Sequence, residues 1–115
     1  MKNIKLKTAI PGPKSLEILN RRQASMPNGL AKSTQVVVDR SEGALVVDVD
    51  GNQMLDFAGG IGMLNAGHRP KEVVDAIKGQ LDKSIHSCNL VATNEPSVEL
   101  CELLNKHTPG NFPKK

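Results

Sequence analysis

From Ala58 to His68 the chain reads Ala-Gly-Gly-Ile-Gly-Met-Leu-Asn-Ala-Gly-His, with four glycines in the nine residues from Gly59 to Gly67. Glycine loses more backbone freedom on ordering than any other residue, so a run this dense does not sustain a helix or strand interior. Residues 58–69 are therefore expected to form an irregular glycine-rich loop. That loop divides the chain: the strand candidates all lie before it, and the pattern after it follows helical spacing.

Ahead of the loop, residues 1–12 read as an extended N-terminal arm in which Lys and Thr alternate with Ile and Leu, until Pro11-Gly12-Pro13 interrupts. A helix is predicted from Pro13 to Ser25, with proline in its first turn and an apolar stripe of Leu16, Ile18 and Leu19. Met26-Pro27-Asn28-Gly29 stops it. Val36-Val37-Val38 is β-branched, Ser41-Glu42-Gly43 reads as a turn, and Ala44 to Val49 as a second strand. Asp50-Gly51 is the strongest short hairpin signal, a dipeptide suited to two positive φ angles, and Gln53 to Phe57 returns as a third strand. Residues 13–57 thus read as a helix plus a three-stranded antiparallel meander.

Behind the loop, residues 70–115 read as two helices. Pro70 opens the first, to about Lys83, with Val73, Val74, Ile77 and Leu81 on one face and Lys71 one turn from Asp75. A polar loop holds His86, Ser87 and Cys88. Asn94 is a predicted cap for the second helix, with Glu95 in its first turn and Leu100, Cys101 and Leu104 on one face. Asn105 to Gly110 ends it.

The 115 residues suffice for one small domain. Hydrophobic residues make up 38% but aromatics only 2%, so the core must be aliphatic and thin. A small sheet and striped helices need further layers to cover them, which predicts a segment of a larger domain. The net charge of +3 is spread out. Its densest points, Arg21-Arg22 and Lys114-Lys115, have no interleaved aromatics for base stacking, which argues against nucleic acid. Two cysteines, Cys88 and Cys101, and an N-terminus without an apolar run point to a cytoplasmic protein. No window reaches the roughly 18 apolar residues of a membrane span.

Most chemical motifs fail on spacing. Gly62 to Gly67 has the outer spacing of a phosphate-binding loop, but His68-Arg69 stands where Lys and Ser or Thr are required. Gly60-Ile61-Gly62 begins a dinucleotide fingerprint, but Asn65 occupies the third glycine position and no helix follows at once. His86, Cys88, Cys101 and His107 offer metal-ligand types without ligand spacing, so no metal is expected. Cys88 and His86 lack a third orienting group for nucleophilic catalysis. Asp48 and Asp50 share a strand face, but the hairpin turn itself accounts for Asp50. The residues alone give a small α+β segment with a structured glycine loop.

The run Asp48-Val49-Asp50-Gly51-Asn52-Gln53-Met54-Leu55-Asp56-Phe57 and its continuation through the glycine loop to His68 closely resembles the class III aminotransferases, most nearly the bacterial 4-aminobutyrate aminotransferases. Ile10 to Ser15, Arg21-Arg22, Gln80-Leu81, His86 to Cys88, and Glu95-Pro96 through Glu99-Leu100 extend the resemblance over nearly the whole chain. It implies an α/β parent of fold type I, dependent on pyridoxal 5'-phosphate, of which this chain is the N-terminal α+β segment leading toward the cofactor-binding large domain. It also implies transfer of an amino group from an ω-amino acid to a keto acid such as 2-oxoglutarate, by a homodimer or larger homo-oligomer. Ile61 matches a position that lines the substrate pocket. Leu90 matches one that is often polar. The Schiff-base lysine and the cofactor-binding residues lie in a part of the family sequence beyond residue 115, so the segment alone is expected to be inactive. The alternative is a non-catalytic remnant, or an interaction module docking on a full-length aminotransferase dimer. The chain departs from the family at Gly67-His68-Arg69-Pro70-Lys71, where a second His is missing, and at Asn89 and Asn94, which replace aromatics.

Overall fold

The structure, a computed structural model, describes residues 4–114. It divides into two compact units, Met1–Asp75 and Ala76–Lys115.

In the first unit, helix α1 (Pro13–Ser25) precedes a sheet of β1 (Val38–Glu42), β2 (Leu45–Asp48) and β3 (Gln53–Leu55). The order is β1-β2-β3 and both pairings are antiparallel. This is the meander the β-branched runs predict, with corrected bounds. Ser41 and Glu42 belong to β1 rather than to a turn, because Ser41 pairs with Val46 and Glu42 with Leu45. The reversal is displaced to Gly43 and Ala44, where Gly43 supplies a φ of 55°. Val36 and Val37 precede the strand, and an irregularity in the pairing falls between Val38 and Arg40. At the second hairpin only Gly51 takes a positive φ, 85°. Asp50 does not. The arm is not free: Lys5 exchanges two backbone hydrogen bonds with Gln53, at 3.0 and 2.8 Å.

The buried positions of this unit are mostly polar. Val46 and Val47 are its buried apolar residues, beside Ser15, Asp48 and Asn52. Asn52 organises them. Its Oδ1 accepts from the amides of Lys7 (2.7 Å) and Thr8 (2.9 Å), and its Nδ2 donates to Thr8 Oγ1 (2.9 Å) and Asp48 Oδ2 (2.8 Å). Asp48 Oδ1 accepts the amides of Asp50 and Asn52. Burying such groups is tolerated only when each finds a partner, and among the described residues no buried side-chain N or O lacks one.

Helix α3 (Lys71–Leu81) contains the boundary between the units, and α4 (Glu95–His107) belongs to the second. Asn94 caps α4 through Ser97 N at 3.1 Å, as its position predicts. The second unit has no buried residue among those described. Cys101, on the apolar stripe, is exposed rather than buried, and so are Leu100 and Leu104. Helical spacing sets which residues share a face but does not supply the layer that covers it. Among the described residues, no helix is long and apolar enough to cross a membrane.

Candidate functional site: the clasped glycine loop

The glycine loop contains one short helical turn, α2 (Gly59–Gly62), whose interior is not helical in the ordinary sense. Gly59, Gly60, Ile61 and Gly62 all have positive φ, at 50°, 59°, 57° and 78°. Three glycines adopt this region without penalty, whereas β-branched Ile61 is a genuine outlier there. The expectation of an irregular loop therefore resolves into a left-handed turn, closed by Ile61 N on Ala58 O (2.6 Å) and by Met63 N and Leu64 N on Gly59 O (3.0 and 2.9 Å).

Asp56 and His68 hold the ends of this loop. Asp56 N donates to Ala44 O at 2.9 Å, and His68 exchanges two backbone hydrogen bonds with Gly43, at 2.7 and 2.9 Å. Both anchors are thus in the β1–β2 turn. Gly67 makes the approach possible: a Cβ there would stand 3.0 Å from Gly43 O, and its φ is 78°. Asp56 Oδ1 accepts the amides of Ala58 and Gly59, each at 2.9 Å, while Oδ2 meets His68 Nε2 at 2.7 Å. The His68 hydrogen bond, followed by the Gly59 amide, holds the Asp56 carboxyl below its ordinary value of 3.8, against the opposing effect of burial. The Ala58 amide and the His68 charge add to the lowering.

Ile61 is 94% exposed, with Phe57 at 93% and Met63 at 72%. Packing within the loop therefore does not account for an isoleucine at this position. Behind the turn a cavity of about 440 Å3 is lined by Val36, Val38, Val46, Met54, Phe57 and His68 among others, but not by Ile61. In the second unit Leu90 is 95% exposed. Cys88 has a φ of 44°, and its carbonyl accepts the amides of Val91 and Ala92. Asp48 and Asp50 do not act as a carboxylate pair: Asp48 is buried on Asn52, and Asp50 caps α1 rather than serving only the turn. No group of three metal-ligating side chains occurs among the described residues.

Residues 28–114 match the family model "Aminotransferase class-III". The chain belongs to the class-III aminotransferases. It is 45% identical over 98 residues to 5-aminovalerate aminotransferase DavT of Pseudomonas putida, a match covering 85% of this chain and 23% of that protein. It is 44% identical over 99 residues to 4-aminobutyrate aminotransferase GabT of Escherichia coli, covering 86% and 23%. Among solved structures, an ω-transaminase from Sphaerobacter thermophilus superposes with a TM-score of 0.72 at 25% identity, over 84% of this chain and 23% of that one. The fold is that of a segment of the fold type I transferases, and the class-III chain spans about a quarter of the length of the relatives it matches.

Sequence reasoning missed the clasp. Asp56 carried a signal, since an Asp two residues before a free amide is poised to accept from it. His68 carried none, because its partner is 12 positions away and is set by tertiary pairing.

Proposed function

We propose that this chain is the N-terminal part of a pyridoxal-phosphate-dependent transaminase moving an amino group from an ω-amino acid, 4-aminobutyrate-like, to a keto acid such as 2-oxoglutarate, and that the segment is inactive alone. The observation that carries the reading is identity of 44–45% across more than four-fifths of the chain to relatives named for 4-aminobutyrate and 5-aminovalerate, two amino acids whose amine is remote from the carboxylate. The glycine loop supplies the element nearest to chemistry, with Ile61 as a wall of the donor pocket. Homo-oligomeric assembly and a cytoplasmic location belong to the same proposal.

The described residues do not themselves fit the coenzyme. Ile61, Gly62, Met63 and Leu64 donate their amides within the turn rather than outward to a phosphate. The cavity behind the loop is lined by apolar and small polar side chains, Asp56 and His68, with no amine to bond the coenzyme's carbonyl carbon. Pyridoxal phosphate, which supplies an electron sink to the reaction when bound, is therefore assigned to residues outside this segment, and no step through it follows from these residues.

The test is a chimera in which this chain replaces the matching segment of the Escherichia coli GabT protein, assayed beside the chain alone. Amino transfer from 4-aminobutyrate by the chimera, with none from the chain alone plus coenzyme, is the expected result. A folded, coenzyme-loaded chimera that transfers from no ω-amino acid would overturn the reading, as would turnover by the isolated chain. Binding of the isolated chain to an intact class-III dimer would favour the docking-module alternative, for which the exposed stripe of α4 offers a surface.

A further inference from the structure

Asp56 has two oxygens and uses them for two tasks. Oδ1 takes the first two amides of the left-handed turn, and Oδ2 takes the imidazole that closes the loop. Residues 57–67 are thereby tied at both ends to Gly43 and Ala44, adjacent residues of one hairpin turn. What the loop displays beyond this tie is costly. A left-handed conformation is unfavourable at a non-glycine residue, and Ile61 gains little by burial to offset it, being 94% exposed. Backbone strain persists only where the surroundings over-determine it, and an observed outlier is a reason to look for function. Two neighbours of Ile61 are glycines that would satisfy the same backbone without strain, so the side chain, not the turn, is what an isoleucine at this position provides.

We infer that Asp56 and His68 are positioning residues: their side-chain bond locks the Gly59–Gly62 turn in its left-handed form and so fixes where Ile61 stands against the amino donor. This rests on the reading of Ile61 as a pocket wall. Neither residue touches substrate in this role. Both act through the backbone of the turn, so their loss is felt in donor binding rather than in the chemical step.

The kinetic test uses the chimera with 4-aminobutyrate and 5-aminovalerate as donors. His68→Ala is expected to raise the donor KM about tenfold with kcat held within about twofold, the signature of lost positioning. His68→Gln, whose amide can donate to Asp56 Oδ2, is expected to restore KM. Ile61→Ala should raise KM by itself, and the double variant should be no worse than the worse single one, because both changes remove the same displayed side chain. Additive losses, or a His68→Gln variant as impaired as His68→Ala, overturn the inference.

A second measurement separates this inference from the reading beneath it. Amide hydrogen exchange on the full 115-residue chain should show protection of Ile61 and Met63 falling at least tenfold in His68→Ala, since exchange reports local opening. Unchanged protection overturns the clasp whatever the kinetics show. If protection falls while Ile61→Ala leaves both donors unaffected, the clasp stands as a structural lock and its role in donor placement is refuted together with the pocket assignment.

Discussion

Asp50 caps Ser15 from 35 positions away: its Oδ2 accepts both the Ser15 amide at 2.9 Å and the Ser15 hydroxyl at 2.6 Å, while Oδ1 takes the Lys14 amide at 2.8 Å. Helix α1 opens on Gly12, which has no side chain to satisfy the first free amides, and the β2–β3 hairpin delivers the missing acceptor. The cap therefore ties the helix to the sheet. Asp50→Ala should lower the thermal midpoint by about 4–8 °C, a typical loss for a helix cap in a domain of this size. Asp50→Asn should recover part of that, because one acceptor oxygen remains. Thermal unfolding followed by far-ultraviolet circular dichroism checks both, and an unaltered midpoint in Asp50→Ala would mean that the cap does not hold the two elements together.

Gly12 is small for the same reason. A Cβ at this position would lie 2.6 Å from Asp50 Oδ2 and 2.6 Å from Thr8 Oγ1, closer than real Cβ contacts come. Gly12→Ala should therefore resemble Asp50→Ala, and the two together should cost little more than either. If the midpoints of the single variants instead add, the alanine acts somewhere other than on the cap.

The two capping carboxylates also predict a loss of stability in acid. Burial pushes Asp50 up, but the Ser15 hydroxyl, the Lys14 and Ser15 amides and the Lys14 charge outweigh it and leave the carboxyl below 3.8. Asp56 is lowered chiefly by His68 and the Gly59 amide. A carboxyl whose folded pKa is depressed contributes stability that is fully present above its unfolded pKa and is lost as pH falls through the folded value. The urea midpoint should therefore show no loss from these two groups above about pH 5 and should fall below about pH 4. In the Asp50→Asn, Asp56→Asn double variant the acid-side fall should be shallower. A double variant with the parent's slope would show that other groups govern acid unfolding.

How much of this was legible in the sequence depends on how local each cause is. The bounds of α1 follow from Pro13 and the Met26-Pro27 stop, and the Asn94 cap lies three residues from the amide it serves. The resemblance across the glycine loop carried the family. What escaped was set at a distance. Asp50 reads as a turn residue until α1 is placed against the hairpin. Ser41 and Glu42 read as a turn because small and charged residues favour turns, yet pairing with Val46 and Leu45 holds them in a strand. Asp56 and His68 meet only after the loop between them has folded. Nothing in helical periodicity could foretell that Cys101 would be exposed, since periodicity gives the face and not its cover.

Asn52 tests whether polar burial, rather than apolar area, holds the first unit together. It is fully buried and serves the arm, the hairpin and Asp48 at once. Asn52→Ala removes the acceptor of the Lys7 and Thr8 amides and the donor to Asp48 Oδ2, and leaving a buried polar group unpaired costs about 1–3 kcal/mol. Val47→Ala removes two methyl carbons from a site already thinly covered, and should cost only about 1–2 kcal/mol. Chemical denaturation should therefore rank Asn52→Ala below Val47→Ala. The opposite order would place the stability of this unit in its aliphatic residues.

Ile61→Gly separates stability from use most sharply. The substitution relieves a left-handed residue, worth roughly 1–2 kcal/mol, and gives back part of that by freeing the unfolded chain, roughly 0.5–1 kcal/mol on the scale for glycine against alanine. Little packing is lost, because the side chain is almost wholly exposed. The net expectation is a chain as stable as the parent or more so by up to about 1 kcal/mol, with slower amide exchange across Gly59–Gly62. In the chimera the same change should weaken donor binding. A stabilised turn with impaired donor KM would mean that isoleucine is kept against the preference of its own backbone. A destabilised turn would mean that its side chain supports the loop in a way its exposure conceals, and the strain argument would then fail at its first step.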